Sequence, residues 1–203
     1  NLQTCGSVWM CPVCSAIISE GRRQELNWAL EKAREKDLKV FMLTLTMSHS
    51  SKEPLEEVLS TLKEAKRNFT NRSQWKRLKK NGILVGSITA TEVTWSKVNG
   101  WHPHFHVLIF TKGDQPEIRD QLEKLEPLWR NKALRSVGRF GGVAAFDLQD
   151  ASAAGNYIAK WGAAEEITLG AKKVQREQTG IERFTPWGLL ASAKAGRKDH
   201  AKL

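Results

Sequence analysis

The chain has 203 residues, 40% of them hydrophobic, with 32 Lys and Arg against 22 Asp and Glu for a formal net charge of +10. That length buries one sizeable core, so a single domain with an appendage is the expectation, and the positive balance favours a polyanionic partner such as nucleic acid. No apolar run approaches the roughly 18 residues of a membrane span, and Asn1-Leu2-Gln3-Thr4-Cys5 lacks the charged start and apolar stretch of a signal peptide, so a soluble, cytoplasmic protein is the expectation.

The first residue is Asn rather than Met, so the chain is expected to be part of a longer one. Three cysteines are too few for a disulfide framework, and Cys5, Cys11 and Cys14 cluster as metal ligands do. Cys11-Pro12-Val13-Cys14 is the close pair of a zinc knuckle that Cys5 can join. A structural Zn²⁺ needs a fourth ligand, for which His49, His200 or a residue before Asn1 is a candidate. The plainer reading is buried thiols beside a turn.

Residues 17–36 read as a charged helix and 38–47 as a strand of β-branched and apolar residues. A second helix is expected over 53–80, with Leu55, Val58, Leu59, Leu62 and Phe69 on its apolar stripe. Arg67, Lys76 and Arg77 belong to the basic run near its end, either a solvated face or a DNA-contacting one. Strands at 83–94 and 101–110 flank a loop whose Asn99-Gly100 is a hairpin signal. A helix over 116–137, interrupted near Pro127, a short strand at 143–148 and a helix over 151–166 complete the order. The β-α-β-β-α-β succession predicts an α+β fold, a ferredoxin-like split βαβ antiparallel sheet with helices on one face and its first and third strands adjacent in the middle. Residues 1–16 form a Cys-rich segment in this reading, 17–166 the main domain and 167–203 a basic tail.

Chemistry concentrates on the third strand. In Trp101-His102-Pro103-His104-Phe105-His106 the period of two sends His102, His104 and His106 to one face, where imidazoles two residues apart can approach one cation. Thr44 and Thr46 alternate with apolar residues on the first strand and would lie beside the histidines; plain β-propensity explains them equally well. Glu92 offers a hard oxygen suited to Mg²⁺ or Mn²⁺. Its face depends on the turn: an odd-length loop opposes it to His104 or His106, whereas a two-residue Asn99-Gly100 turn opposes it to Val107. His102 is then the rival third ligand.

Tyr157 is the only tyrosine. Helical spacing groups it with Lys160 and Trp161, so that Lys160 could assist a phenolate nucleophile. Alone, Tyr-x-x-Lys describes a packed tyrosine beside a solvated lysine equally well.

Taken together, Phe41-Met42-Leu43-Thr44-Leu45-Thr46, His104-Phe105-His106 and Tyr157-Ile158-Ala159-Lys160-Trp161 resemble the three ordered motifs of the HUH endonucleases. The strings Cys11-Pro12-Val13-Cys14 and Arg183-Phe184-Thr185-Pro186-Trp187 are similar to those of plasmid rolling-circle Rep proteins, so the resemblance runs from Cys5 to about Leu190. It implies a bacterial enzyme that nicks single-stranded origin DNA. His104 and His106 would hold Mn²⁺ or Mg²⁺ with Glu92 or His102, Tyr157 would form a 5′-phosphotyrosine bond and leave a free 3′-OH, and Lys160 would assist. Some relatives carry a second tyrosine or a glutamate four residues away, where this chain has Ala153, so strand transfer at termination must use another group.

The expected partners are single-stranded DNA and a plasmid origin hairpin, with a host helicase as a further candidate; no oligomeric state is readable. DNA contacts are expected from Arg67, Lys76, Arg77, Thr44 and Thr46, with Trp101 or Trp161 stacking an unpaired base. The rival readings are an HUH relaxase or transposase, in which the tyrosine usually precedes the histidines, and a non-catalytic zinc-containing origin-binding protein.

Overall fold

The computed structural model describes residues 5–7, 11–151, 176–178 and 181–197. Helix α1 (Pro12–Glu35) leads into strand β1 (Lys39–Leu45), followed by α2 (Leu55–Thr70), α3 (Ser73–Lys80), β2 (Leu84–Ser96) and β3 (Gly100–Thr111). Next come α4 (Gln115–Glu123), a short turn α5 (Glu126–Leu128), a π-helical turn (Trp129–Ala133) and β4 (Phe146–Asp150). A small hairpin of β5 (Arg176–Gln178) and β6 (Ile181–Arg183) precedes α6 (Pro186–Lys194). Among the described residues no helix is long and apolar enough to cross a membrane.

β1 to β4 form an antiparallel sheet in the order β2-β3-β1-β4, the α+β arrangement expected, with the first and third strands in the middle. Strand alternation divides the central pair cleanly. Phe41, Leu43, Leu45, Phe105, Val107 and Ile109 face one way and pack against Val58, Leu62, Ala65 and Phe69 of α2 and against Trp129. Val40, Met42, Leu108 and Phe110 face the other way, where Leu26 and Ala33 of α1 cover them. The helix layer therefore buries the main core, while α1 roofs only one end of the opposite face. Beyond that roof, His102, His104 and His106 occupy the same face at the other end of β3.

Several boundaries differ from the sequence expectation for identifiable reasons. α1 starts at Pro12, five residues early, because proline is favoured in a helix's first turn and Cys11 supplies the cap, its sulfur accepting from the Cys14 N–H at 3.5 Å. The single helix expected over 53–80 breaks at Asn71 and Arg72. The break lets Trp75 of α3 turn back onto Phe69, with ring centroids 5.3 Å apart. The helix after β3 does lapse near Pro127, at Lys124 and Leu125, since Pro127 cannot donate to the carbonyl four residues earlier; it resumes as α5 and the π-helical turn. Residues 143–145 form a 3₁₀ turn rather than the start of a strand, so that Phe146 opens β4 opposite Leu45. The helix expected over 151–166, including Tyr157, Lys160 and Trp161, lies outside the described residues from 152 onward.

The β2–β3 hairpin closes with Ser96 opposite Gly100 around Lys97-Val98-Asn99, a three-residue loop followed by a glycine at φ +67°. That left-handed residue completes the bulged form of such a loop, and a Cβ on Gly100 would come within 2.3 Å of the Ser51 carbonyl oxygen. The odd loop sets Glu92 directly opposite His104.

Candidate metal centre

Three side chains from β2 and β3 converge on one point. The Glu92 Oε2 atom lies 3.0 Å from Nε2 of His104 and 3.0 Å from Nε2 of His106, and the two Nε2 atoms are 3.1 Å apart. His106 is 8% exposed, and Glu92 and His104 are half-buried. Burial pushes the Glu92 carboxyl up, but hydrogen bonds and charge from the two histidines outweigh it and hold the group well below the usual carboxylate range.

The donor set fits a divalent cation. An octahedral ion with bonds of about 2.1 Å separates adjacent ligands by roughly 3.0 Å, close to the edges of this triangle. Two imidazoles and a carboxylate on one side of an ion leave its remaining positions open to substrate and water. Behind the triangle, Thr44 Oγ1 lies 3.2 Å from Nδ1 of His106. If that nitrogen donates, Nε2 keeps its lone pair for the centre, the usual tautomer of a ligating histidine.

His102, the alternative ligand, is not part of the triangle. Its Nδ1 lies 2.8 Å from Nε2 of His49, and its ring centroid is 5.6 Å from that of His104. His49 thus sits against β3 rather than with the cysteines. Its loop is tied to the segment after the π-helical turn: Arg139 donates to both Glu53 carboxylate oxygens and the Ser48 hydroxyl donates to the Phe140 carbonyl at 2.8 Å. Sequence reading missed this placement of His49. The only signal was its position three residues past Thr46, just beyond a strand edge that faces β3.

Burial, reinforced by His104, His49 and Arg183 and opposed by Glu92, brings His102 down to about 4. The unfolded chain takes up this proton near 6.5 and the folded one only near 4, so stability is full above pH 6.5 and falls as pH drops from there to about 4, by about 3 kcal/mol. Urea denaturation of EDTA-treated protein should show this slope in wild type and a flatter one in His102→Asn. Equal slopes would rule out His102 as its source.

A second cluster gathers Cys5, Cys11 and Cys14, whose sulfurs all lie within 4.8 Å of one another. The Cys14 backbone and side chain lower the Cys11 thiol below its ordinary value, whereas at Cys5 the lowering by the Ser7 backbone is outweighed by Cys14, burial and Cys11, which raise it. Among the described residues, four further expected site residues, Arg67, Lys76, Arg77 and Trp101, are not part of either cluster. Arg67, Lys76 and Arg77 are exposed on α2 and α3, in the layer behind the sheet. Trp101 is half-buried and paired in register with Trp95, on the Phe105 side of β3 by alternation. Thr46 shares the Thr44 side of its strand.

A family model described as "Replication protein" matches residues 1–119. A "Protein rep" of Streptomyces lividans is 28% identical over 139 residues, 56% of this chain and 30% of that protein. A "Neomycin resistance protein" of Streptomyces cyanogenus is 26% identical over 176 residues, 68% and 40% of the two chains. A "Protein rep" of Lentilactobacillus hilgardii is 32% identical over 105 residues, 51% and 32% of the two. The chain therefore spans between 30% and 40% of the length of these curated relatives. No solved structure matches it.

Proposed function

The chain belongs to the replication-protein family whose model matches residues 1–119, and from that premise we propose that it is the nicking domain of a rolling-circle replication initiator of the HUH type. The observation that carries the reading is the convergence of Glu92, His104 and His106 within 3.1 Å on one face of the sheet. A bound Mn²⁺ or Mg²⁺ would draw charge from the scissile phosphate as a Lewis acid. Glu92, His104 and His106 hold it, and Thr44 orients His106.

Tyr157 supplies the nucleophile in this reading. Its phenol loses a proton, the oxygen attacks phosphorus, the bond from phosphorus to the 3′ oxygen breaks, and that oxygen takes up a proton as the free 3′-OH. The phosphate is left as a diester on Tyr157, so one phosphodiester replaces another and the cut can later be resealed by strand transfer. Lys160, three residues along the chain, stabilises the phenolate or the phosphate charge. Arg67, Lys76 and Arg77 contact the backbone of the origin hairpin, in contacts that weaken with salt. Cys5, Cys11 and Cys14 are three ligands of a structural Zn²⁺ that pins the start of α1.

The test is a denaturing gel of wild type and Tyr157→Phe after incubation with single-stranded origin oligonucleotides and Mn²⁺, with and without EDTA. A metal-dependent shift that survives denaturation and vanishes in Tyr157→Phe is expected. Cleavage without a shift, unchanged by the substitution, would point instead to hydrolysis by water and overturn the tyrosine mechanism.

A further inference from the structure

The contact between Thr44 and His106 has an unmade twin. β1 and β3 pair with Thr44 opposite His106 and Leu45 opposite Phe105. Extending that antiparallel register by one step brings Thr46 opposite His104, on the same face as the made contact. Nδ1 of His104 and Oγ1 of Thr46 are both buried, and neither has a hydrogen-bond partner among the described residues. Orphaned buried polar groups are uncommon enough that each calls for a physical reason. Here two of them, one able to donate and the other to accept, occupy facing positions.

The backbone at this point is already held. The Thr46 N–H donates to the Ala145 carbonyl at 3.1 Å, and the Thr46 carbonyl accepts from Nε1 of Trp129 at 3.0 Å. Only the Thr46 side-chain torsion and the His104 ring orientation remain to be set. His104 meanwhile directs its other nitrogen at Glu92 and His106, at 3.0 and 3.1 Å. A histidine that ligates through Nε2 carries its proton on Nδ1 and almost always donates it to an oxygen.

We propose that Thr46 is a positioning residue for His104, accepting its Nδ1–H when a divalent cation occupies the centre, as Thr44 serves His106. The inference rests on the metal-site reading given under Proposed function. It gives Thr44-Leu45-Thr46 a role matched to His104-Phe105-His106: two hydroxyls spaced as the two imidazoles are, each fixing one ring's tautomer and tilt.

The test is calorimetric titration of the full chain with Mn²⁺ alone, without DNA, in wild type, Thr46→Val, Thr46→Ser, Thr44→Val and His104→Ala. Loss of an outer partner typically lowers metal affinity about 10- to 100-fold, so Thr46→Val and Thr44→Val should each weaken binding into that range. Thr46→Ser should retain wild-type affinity, and His104→Ala should abolish binding at this site. Independently of any variant, addition of Mg²⁺ to wild type should bring out a slowly exchanging His104 Nδ1–H resonance by NMR.

If His104→Ala abolishes binding while Thr46→Val binds as wild type and no such resonance emerges, this inference fails and the metal site stands. Unchanged binding in His104→Ala removes the metal site and the inference with it. A Thr46→Val protein that loses affinity for single-stranded DNA but not for Mn²⁺ would make Thr46 a DNA contact instead.

Discussion

Glu92→Gln should slow the proposed metal-dependent nicking on the order of a thousandfold or more while leaving the fold and single-stranded DNA binding intact. The substitution keeps the volume and one oxygen acceptor of the side chain but removes the charge that faces both histidines at 3.0 Å. A Lewis-acid cation contributes several kcal/mol to charge stabilisation at a phosphate. Each 1.36 kcal/mol is about tenfold in rate, so losing the cation is a loss of several decades. The measurement is single-turnover cleavage of an origin oligonucleotide across a Mn²⁺ titration, beside calorimetry of Mn²⁺ binding. Partial recovery of rate at high Mn²⁺ would show a ligand weakened rather than a general base removed. Cleavage at the wild-type rate with unchanged Mn²⁺ affinity would exclude Glu92 from the centre.

Trp129→Ala should destabilise the chain by about 3 to 5 kcal/mol, the usual range for truncating a fully buried aromatic. Trp129 has 0% exposure, meets Phe69 edge-on at 5.6 Å and donates its indole N–H to the Thr46 carbonyl. Domains are stable by only about 5 to 15 kcal/mol, so this loss is a large share of the total. Trp129→Phe keeps a six-membered ring but removes the rest of the indole with its N–H, so it opens a smaller cavity besides losing the hydrogen bond, and should cost about 2 to 3 kcal/mol. Urea denaturation of both variants measures the difference. Equal losses would mean that the six-membered ring adds nothing beyond the part of the indole that Phe lacks, and a loss below about 1 kcal/mol in Trp129→Ala would mean the π-helical turn can collapse around the cavity.

Much of this was legible in the sequence because it rests on strict periods. The alternation in residues 101–110 placed three histidines on one face, and that in 39–45 placed Thr44 beside them. The succession of elements was enough for the sheet order, since right-handed crossovers leave few alternatives. What stayed undecided turned on single turns. Whether Glu92 faced His104 or Val107 depended on where the bulge fell, a choice that Gly100 and the close Ser51 backbone make only in three dimensions. The break at Asn71 and Arg72 was hidden because Phe69, Trp75 and Leu78 keep an apolar stripe on either side of it. His49 could not be paired with His102 from sequence, because the two are 53 residues apart and meet only through the anchored loop after β1.

Lys97, Val98 and Asn99 are not residues of the centre, yet the register that their loop closes governs it. Successive strand residues face opposite ways, so an inserted or deleted residue that the loop does not absorb, and that shifts the pairing of β2 against β3 by one, would exchange Glu92 for a neighbour of opposite orientation. The exchange would put Thr91 or Val93 against His104 and turn the carboxylate into the apolar layer beneath α2. A change of two residues preserves the facing and only slides the hairpin. The parity of the strand register, rather than the chemistry of the loop residues, thus decides whether the carboxylate reaches the histidines.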